Sequence, residues 1–213
     1  MRNLYVLGFA ASLLFASCGE GEETTDTVME QTVENCLYMY NPAMTKLDWT
    51  AYKFLRKAGV GGTFTVINVQ GEKSGANPKT IIESLSFSIP VNSVETNDPG
   101  RNKKIDSLFF GTLNNTSLLS GEVVSLNENG KAVLRVTMND ITNDVEGDYT
   151  LEDNVFTFNT EINVENWNAQ AGINSLNEAC KDLHTDVENG DTESKLWSEV
   201  TISFSTELTK KCD

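Results

Sequence analysis

The sequence predicts a mainly β fold of antiparallel strands, either a sandwich or a closed barrel, with two helical insertions. Three observations carry this. Most segments alternate apolar and polar residues with a period of two, turn-forming runs such as Asn127-Glu128-Asn129-Gly130 and Glu152-Asp153-Asn154 punctuate them, and only two stretches change to a helical period. Periodicity alone does not separate the two architectures.

The elements follow in chain order. Residues 1–17 carry one charge, Arg2, and the apolar run "LYVLGFAASLLFA", which is too short to span a membrane and has the layout of a bacterial secretory signal. The run ends in "LLFASC", which resembles a lipobox; Cys18 is then expected to be lipidated and to become the new N-terminus. Residues 18–35 hold six acidic and no basic side chains and little apolar surface, so a flexible acidic tether is expected. An acidic stretch directly after a lipidated cysteine also resembles the export signal of some surface-exposed lipoproteins. The protein is therefore expected in the bacterial cell envelope, lipid-anchored, either facing the periplasm or exposed at the surface.

Residues 36–213 are enough for one domain with a substantial core. "TKLDWTAYKFL" and "GGTFTVINV" read as two strands around a glycine-rich turn, and Trp49, Ala51 and Lys53 share a face of the first. "SLSFSIPV" sets Leu85, Phe87, Ile89 and Val91 on one face. "VFTFNTEINV" does the same with Phe156, Phe158, Ile162 and Val164, and "VTISFSTEL" with Val200, Ile202, Phe204, Thr206 and Leu208. The first helical insertion is a short helix near 99–110, after Pro99. The second is predicted near 166–186, about five turns long, because Ala169, Ile173, Leu176, Cys180 and Leu183 recur at three- and four-residue steps.

Charge and motifs exclude several function classes. The formal net charge is −15, and without Arg2 and the six tether acids residues 36–213 stay near −10, which disfavours nucleic acid or an anionic membrane as a partner of the folded part. No Gly-x-Ser-x-Gly elbow, zinc-protease helix or phosphate-binding glycine loop is present, so no catalytic residue is assigned and an enzyme is the most distant reading. Cys180 and His184 stand four apart, but two ligands do not make a structural metal site, and His184 is the only histidine; no metal is assigned.

Specific residues narrow the fold further. "LDWTAYK" at 47–53 followed by "VGGTF" at 60–64 resembles the first two strands of the YceI-like, lipid/polyisoprenoid-binding family. "SFSIPVNSVETNDPGRNKKIDSLFF" at 86–110 is similar to its central signature: an alternating strand, a Ser-Val-x-Thr turn, then an Arg-led helix ending in Phe-Phe. "VEGDYTL" at 145–151 and the last strand extend the match over roughly 46–209. Two positions depart from the family pattern, Asn102 where an aspartate is frequent and Lys53 where a histidine is common. The second insertion with "ACKDLH" and "KLWSEV" looks like a lipoprotein branch of the family.

The resemblance implies an eight-stranded antiparallel, lipocalin-like barrel with an isoprenoid or other lipid chain inside; no further cofactor is implied. The ligand-contacting set it implies is Trp49, Lys53, Phe64, Phe87, Arg101, Phe109 and Phe110. If the 99–110 helix covers a barrel mouth, Phe109 and Phe110 form a lid on the tail, and Arg101, Lys103 and Lys104 stand at the rim near an acidic or phosphorylated head group. The plainer alternative is a side-chain-filled barrel with a structural or partner-binding role. There the two rings plug the end, the cations pair with Asp98 or Asp106, and Trp49, Trp167 and Trp197 serve the core. In an up-and-down barrel with an even strand number, the start of the first strand and the end of the last are neighbours, which favours a Cys36–Cys212 disulfide; Cys180 with either partner stays open.

Overall fold

The computed structural model describes residues 35–213. The expected signal (1–17), the lipidation residue Cys18 and all of the tether but Asn35 lie outside the described residues. The strands are β1 (Cys36–Met39), β2 (Lys46–Lys53), β3 (Ala58–Phe64), β4 (Asn68–Gln70), β5 (Ser74–Gly75), β6 (Ser86–Pro90), β7 (Val94–Glu95), β8 (Leu118–Leu126), β9 (Lys131–Met138), β10 (Ile141–Glu152), β11 (Val155–Asn163), β12 (Leu196–Glu207) and β13 (Thr209–Cys212). The helices are α1 (Pro78–Glu83), α2 (Pro99–Lys104) and α3 (Gln170–Ala179).

Ten strands form one curled antiparallel sheet in the order β4-β6-β8-β9-β10-β11-β12-β2-β3-β7, and β13-β1-β5 form a small second sheet. The curled sheet thus has ten strands where eight were expected. β3 and β4 are separated at 65–67, and β6 and β7 by a 3-10 turn over Val91–Ser93. Both broken stretches pair with each other, Phe64 with Val94 on one side of the break and Val69 with Phe87 on the other.

Alternation sets the concave face. Along β11, Phe156 and Phe158 are almost fully buried; along β6 and its flanks Leu85, Ile89 and Val91 are buried; and at the end of β12, Thr206 and Leu208 are. The hairpins carry the turn chemistry that strand twist demands. Asn139 and Asp140 both adopt positive φ between β9 and β10, as a two-residue type I′ turn requires. The Asn139 side chain also ties that hairpin to the chain before α3, donating to Trp167 O at 2.8 Å and accepting from Asn114 N at 2.7 Å.

The two ends of the curled sheet are built differently. At the Leu126 end of β8, Asn77 caps α1 through Lys79 N, Pro78 takes the first turn, and Ile81 and Ile82 are fully buried. Glu83 accepts from Leu126 N at 3.1 Å and fixes the helix there. β1 and β13 run out from β2 and β12 and pair in register at Cys36 and Cys212, which form a disulfide; Cys180 is free and buried. The pairing follows from the adjacency of the first and last long strands, Leu47 opposite Phe204.

The second helical insertion is shorter than its spacing predicts. Instead of five α-turns over 166–186, the chain makes a 3-10 turn at Val164–Trp167, α3 over ten residues, and another 3-10 turn at Lys181–His184. Asn168 takes a left-handed conformation at φ 54° and reverses the chain before α3, and Cys180 leaves the helical basin at φ −115°. A 3-10 turn repeats every three residues, so it reproduces the apolar spacing that suggested a longer helix. Leu183, expected on the buried face, is instead 58% exposed. The first insertion is helical throughout: α2, a π turn at Ile105–Phe109 and a 3-10 turn at Phe110–Thr112.

Candidate functional site

A cavity of about 530 Å³ runs inside the curled sheet. Its walls are apolar side chains, among them Leu47, Leu134, Val136, Phe158, Ile162 and Phe204. Glycines opposite three aromatic rings make room for it. A Cβ at Gly62 would overlap the Trp49 indole, one at Gly121 would meet the Phe87 ring, and one at Gly147 the Phe158 ring, so each ring lies flat against a neighbouring strand.

All seven residues expected around a ligand line this one cavity: Trp49, Lys53, Phe64, Phe87, Arg101, Phe109 and Phe110. Trp49 Nε1 donates to Thr63 O at 3.3 Å, which orients the indole across β3. Phe109 and Phe110 pack edge to face with centroids 5.0 Å apart. Phe110 is buried and faces Phe64 at 6.3 Å, whereas Phe109 is half-buried and presses on Gly172 of α3, where a Cβ would come within 2.7 Å of its ring. The two rings thus sit between α3 and the sheet.

The charged lining gathers at the end opposite α1. Asp98 caps α2 by accepting from Arg101 N at 3.0 Å, and its other oxygen lies 3.7 Å from the Arg101 guanidinium. Asn102 Oδ1 accepts from both Thr96 N and Thr96 Oγ1, at 2.9 and 2.6 Å, so the amide oxygen suffices to pin the turn where a carboxylate is frequent. Lys53, the last residue of β2, donates to Leu183 O at 2.9 Å. Burial, and then the Arg101 charge, pull its pKa below the usual lysine range. Burial first, then Lys53 and Lys104, bring His184 down to about 4. Its Nδ1 is engaged by Asn177 Oδ1 at 3.0 Å. Among the described residues no group of three metal-ligating side chains occurs.

Sequence reasoning did not single out the wall glycines or the place of His184 at the cavity, and it grouped Lys103 with Lys104 although Lys103 does not line the cavity. A β-glycine opposite an aromatic was a readable signal only once the strand register was known.

The YceI-like domain profile matches residues 38–208. The chain belongs to the YceI-like family. The matched stretch contains every strand of the curled sheet, and the YceI-like domain is a binding fold, not a known enzyme family. Two solved structures share the YceI-like fold. A polyisoprenoid-binding domain from Saccharophagus degradans implicated in plant cell wall breakdown is 12% identical with a TM-score of 0.55, covering 84% of this chain and 99% of its own. BcnA from Burkholderia cenocepacia is 14% identical with a TM-score of 0.52, covering 81% and 99%. No curated protein matches this sequence.

Proposed function

We propose that this YceI-like protein is a membrane-anchored bacterial lipoprotein whose barrel binds an apolar lipid or isoprenoid-type ligand in its interior. The observation that carries the reading is the cavity itself, apolar along its walls and bordered by charge at one end. In this reading β3 with β4, and β6 with β7, count as single interrupted strands, and their mutual pairing closes an eight-stranded barrel. A barrel of that size has room for one small ligand. At ~30 Å³ per water-sized group, the cavity accommodates roughly 18 methylenes. Burial of each contributes ~0.8 kcal/mol, a gross gain of roughly 14 kcal/mol before the costs of immobilising and ordering the chain.

The printed description of the Saccharophagus domain, a polyisoprenoid binder of the same fold, supports the ligand class. A side-chain-filled barrel with a purely structural or partner-binding role leaves the cavity volume without a purpose. Trp49, Phe64, Phe87, Phe109 and Phe110 contact the tail, with Lys53 and Arg101 at the charged end. Cys18 carries the anchor and places the domain at the envelope, facing the periplasm or the surface.

Native mass spectrometry of the full chain, followed by lipid extraction, tests the binding reading. A co-purifying apolar molecule of about one per chain is expected, and a consistently empty protein would refute it. The anchor has its own test: Cys18→Ala is expected to leave the membrane fraction, and unchanged fractionation and detergent partitioning would rule the lipid anchor out.

A further inference from the structure

The turn between β2 and β3 and the segment between α3 and β12 form one rim at an end of the cavity. Phe54 N donates to Lys195 O at 3.0 Å, Trp197 Nε1 to Phe54 O at 2.7 Å, and Leu55 N to Asp191 Oδ2 at 3.2 Å. Arg56 meets Asp186 at 2.6 Å, so their chain neighbours Leu55 and Val187 flank a single ion pair. Leu183 supplies the carbonyl to which Lys53 donates. The rim thus gathers Leu55, Leu183 and Val187, which are 46%, 58% and 74% exposed; the last two are the most exposed large apolar side chains among the described residues. Leu183 also lines the cavity, so the mouth opens among these three.

The backbone accepts strain to present them. Phe54 and Lys57 both hold positive φ, 66° and 58°, which costs these residues free energy that a glycine would not incur. The turn they make leaves Leu55 and Arg56 exposed at its tip. Around the apolar trio stand side chains with an apolar body and a polar end: Lys57 and Lys195 lie over the Trp197 ring at 5.4 and 4.8 Å, and Arg56 over the Phe54 ring at 5.2 Å. Residues 53–57 and 181–195 together hold five cations and five carboxylates. The charge near −10 that disfavours an anionic membrane as a partner of residues 36–213 therefore does not extend to this rim.

Resting on the lipid-binding reading, we propose that this rim docks on the surface of a zwitterionic phospholipid bilayer, with Leu55, Leu183 and Val187 inserted below the head groups. Balanced charges on long apolar stems suit such a surface, since its head-group layer carries both signs and apolar chains lie beneath it. The mouth then opens against the membrane, and an apolar ligand passes between bilayer and cavity without exposing its chain to water. Docking is separate from the anchor at Cys18. β12 runs from Leu196 at the rim to Glu207, and beyond that far end β13 pairs with β1, where the chain enters the domain.

The test uses the chain from residue 18 onward with Cys18→Ala, which keeps every described residue and removes both signal and anchor. It is floated with vesicles of equimolar phosphatidylcholine and phosphatidylethanolamine, and its uptake of geranylgeraniol from the same vesicles is followed by native mass spectrometry. Flotation is expected, and it should persist at high salt because apolar insertion carries it. Leu55→Ser with Val187→Ser should lower vesicle affinity and slow uptake by about tenfold each. Neither residue lines the cavity, so co-purified lipid and melting temperature should stay as they are. Val124→Ser, at an exposed position on β8, should change nothing. Absence of flotation, flotation that needs anionic lipid and is lost in salt, or an equal effect of Val124→Ser overturns the docking and leaves the lipid reading standing. A chain that purifies empty and takes up no geranylgeraniol while still floating refutes the lipid reading instead.

Discussion

Gly62 sets the depth of the cavity beside Trp49, and enlarging it tests whether ring placement governs binding. The two residues face each other across β2 and β3, and a Cβ on residue 62 would come within 2.7 Å of Trp49 Cε2 and 2.8 Å of Cη2, with Cζ2 nearer still. Real Cβ atoms do not approach so closely, and the backbone of β3 is held by β2 along Ala58–Thr63 and by β7 at Thr63 and Phe64, so in Gly62→Ala the indole has to lift toward the interior. Overpacking of this kind costs about 1 to 3 kcal/mol, offset by several tenths because alanine has less freedom than glycine in the unfolded chain. A lifted indole that takes ~90 Å³ of the cavity displaces about three water-sized groups of ligand. At ~0.8 kcal/mol per methylene that is roughly 2.4 kcal/mol, or about 50-fold weaker retention.

The assay is lipid per folded molecule by native mass spectrometry, with thermal melting on the same samples. Gly62→Ala should lose most of its ligand and melt a few degrees lower, and adding Trp49→Leu should restore binding, since the smaller side chain removes the conflict. Full ligand occupancy in Gly62→Ala, or no recovery in the double variant, would show that the ring does not set the cavity depth.

Three other perturbations read different parts of the structure. Replacing Cys36 and Cys212 with serine opens a loop of 176 residues and should cost about 2 to 4 kcal/mol of stability; non-reducing peptide mapping must show the Cys36–Cys212 link, and a linked peptide containing Cys180 would refute it. His184 titrates near 4 when folded and near 6.5 when unfolded, so the unfolded chain takes the proton first. As pH falls from 6.5 toward 4, stability should decline by up to about 3 kcal/mol. The Asp98 and Asp186 carboxyls, held below the ordinary aspartate range chiefly by a backbone N–H at Asp98 and by the Arg56 side chain at Asp186, act below this window. Chemical denaturation across that range should show the slope in the wild type and lose it in His184→Gln; an unchanged slope contradicts the assignment. Phe109 and Phe110 should separate: Phe110→Ala, at a buried contact with Phe64, is expected to cost about 3 to 5 kcal/mol, while Phe109→Ala melts only modestly lower and loses lipid. Equal melting losses with lipid retained in both would make the pair a plug.

What the sequence made legible follows a physical division between local and long-range information. The inward faces of β2, β6, β11 and β12 were readable because a half-buried strand repeats every two residues, and the alternation survives in the chain whatever its neighbours are. The start of α2 was readable for the same reason, because Pro99 marks it within the segment itself; the Asp98 cap came only with the structure. The length of α3 was not, because Asn168 ends one turn and Cys180 another without disturbing the three- and four-residue spacing of the apolar side chains. The breaks at 65–67 and 91–93 have no local marker stronger than Pro90 and a serine, and they depend on how tightly the sheet must bend to meet itself. The charged end lay deepest. Lys53 and Lys104 stand on elements 51 residues apart, and nothing in either neighbourhood distinguishes Lys104, which borders the cavity, from Lys103, which does not. One residue is about 100° of helical rotation, and that rotation acquires meaning only when the strand ending in Lys53 is placed beside the helix.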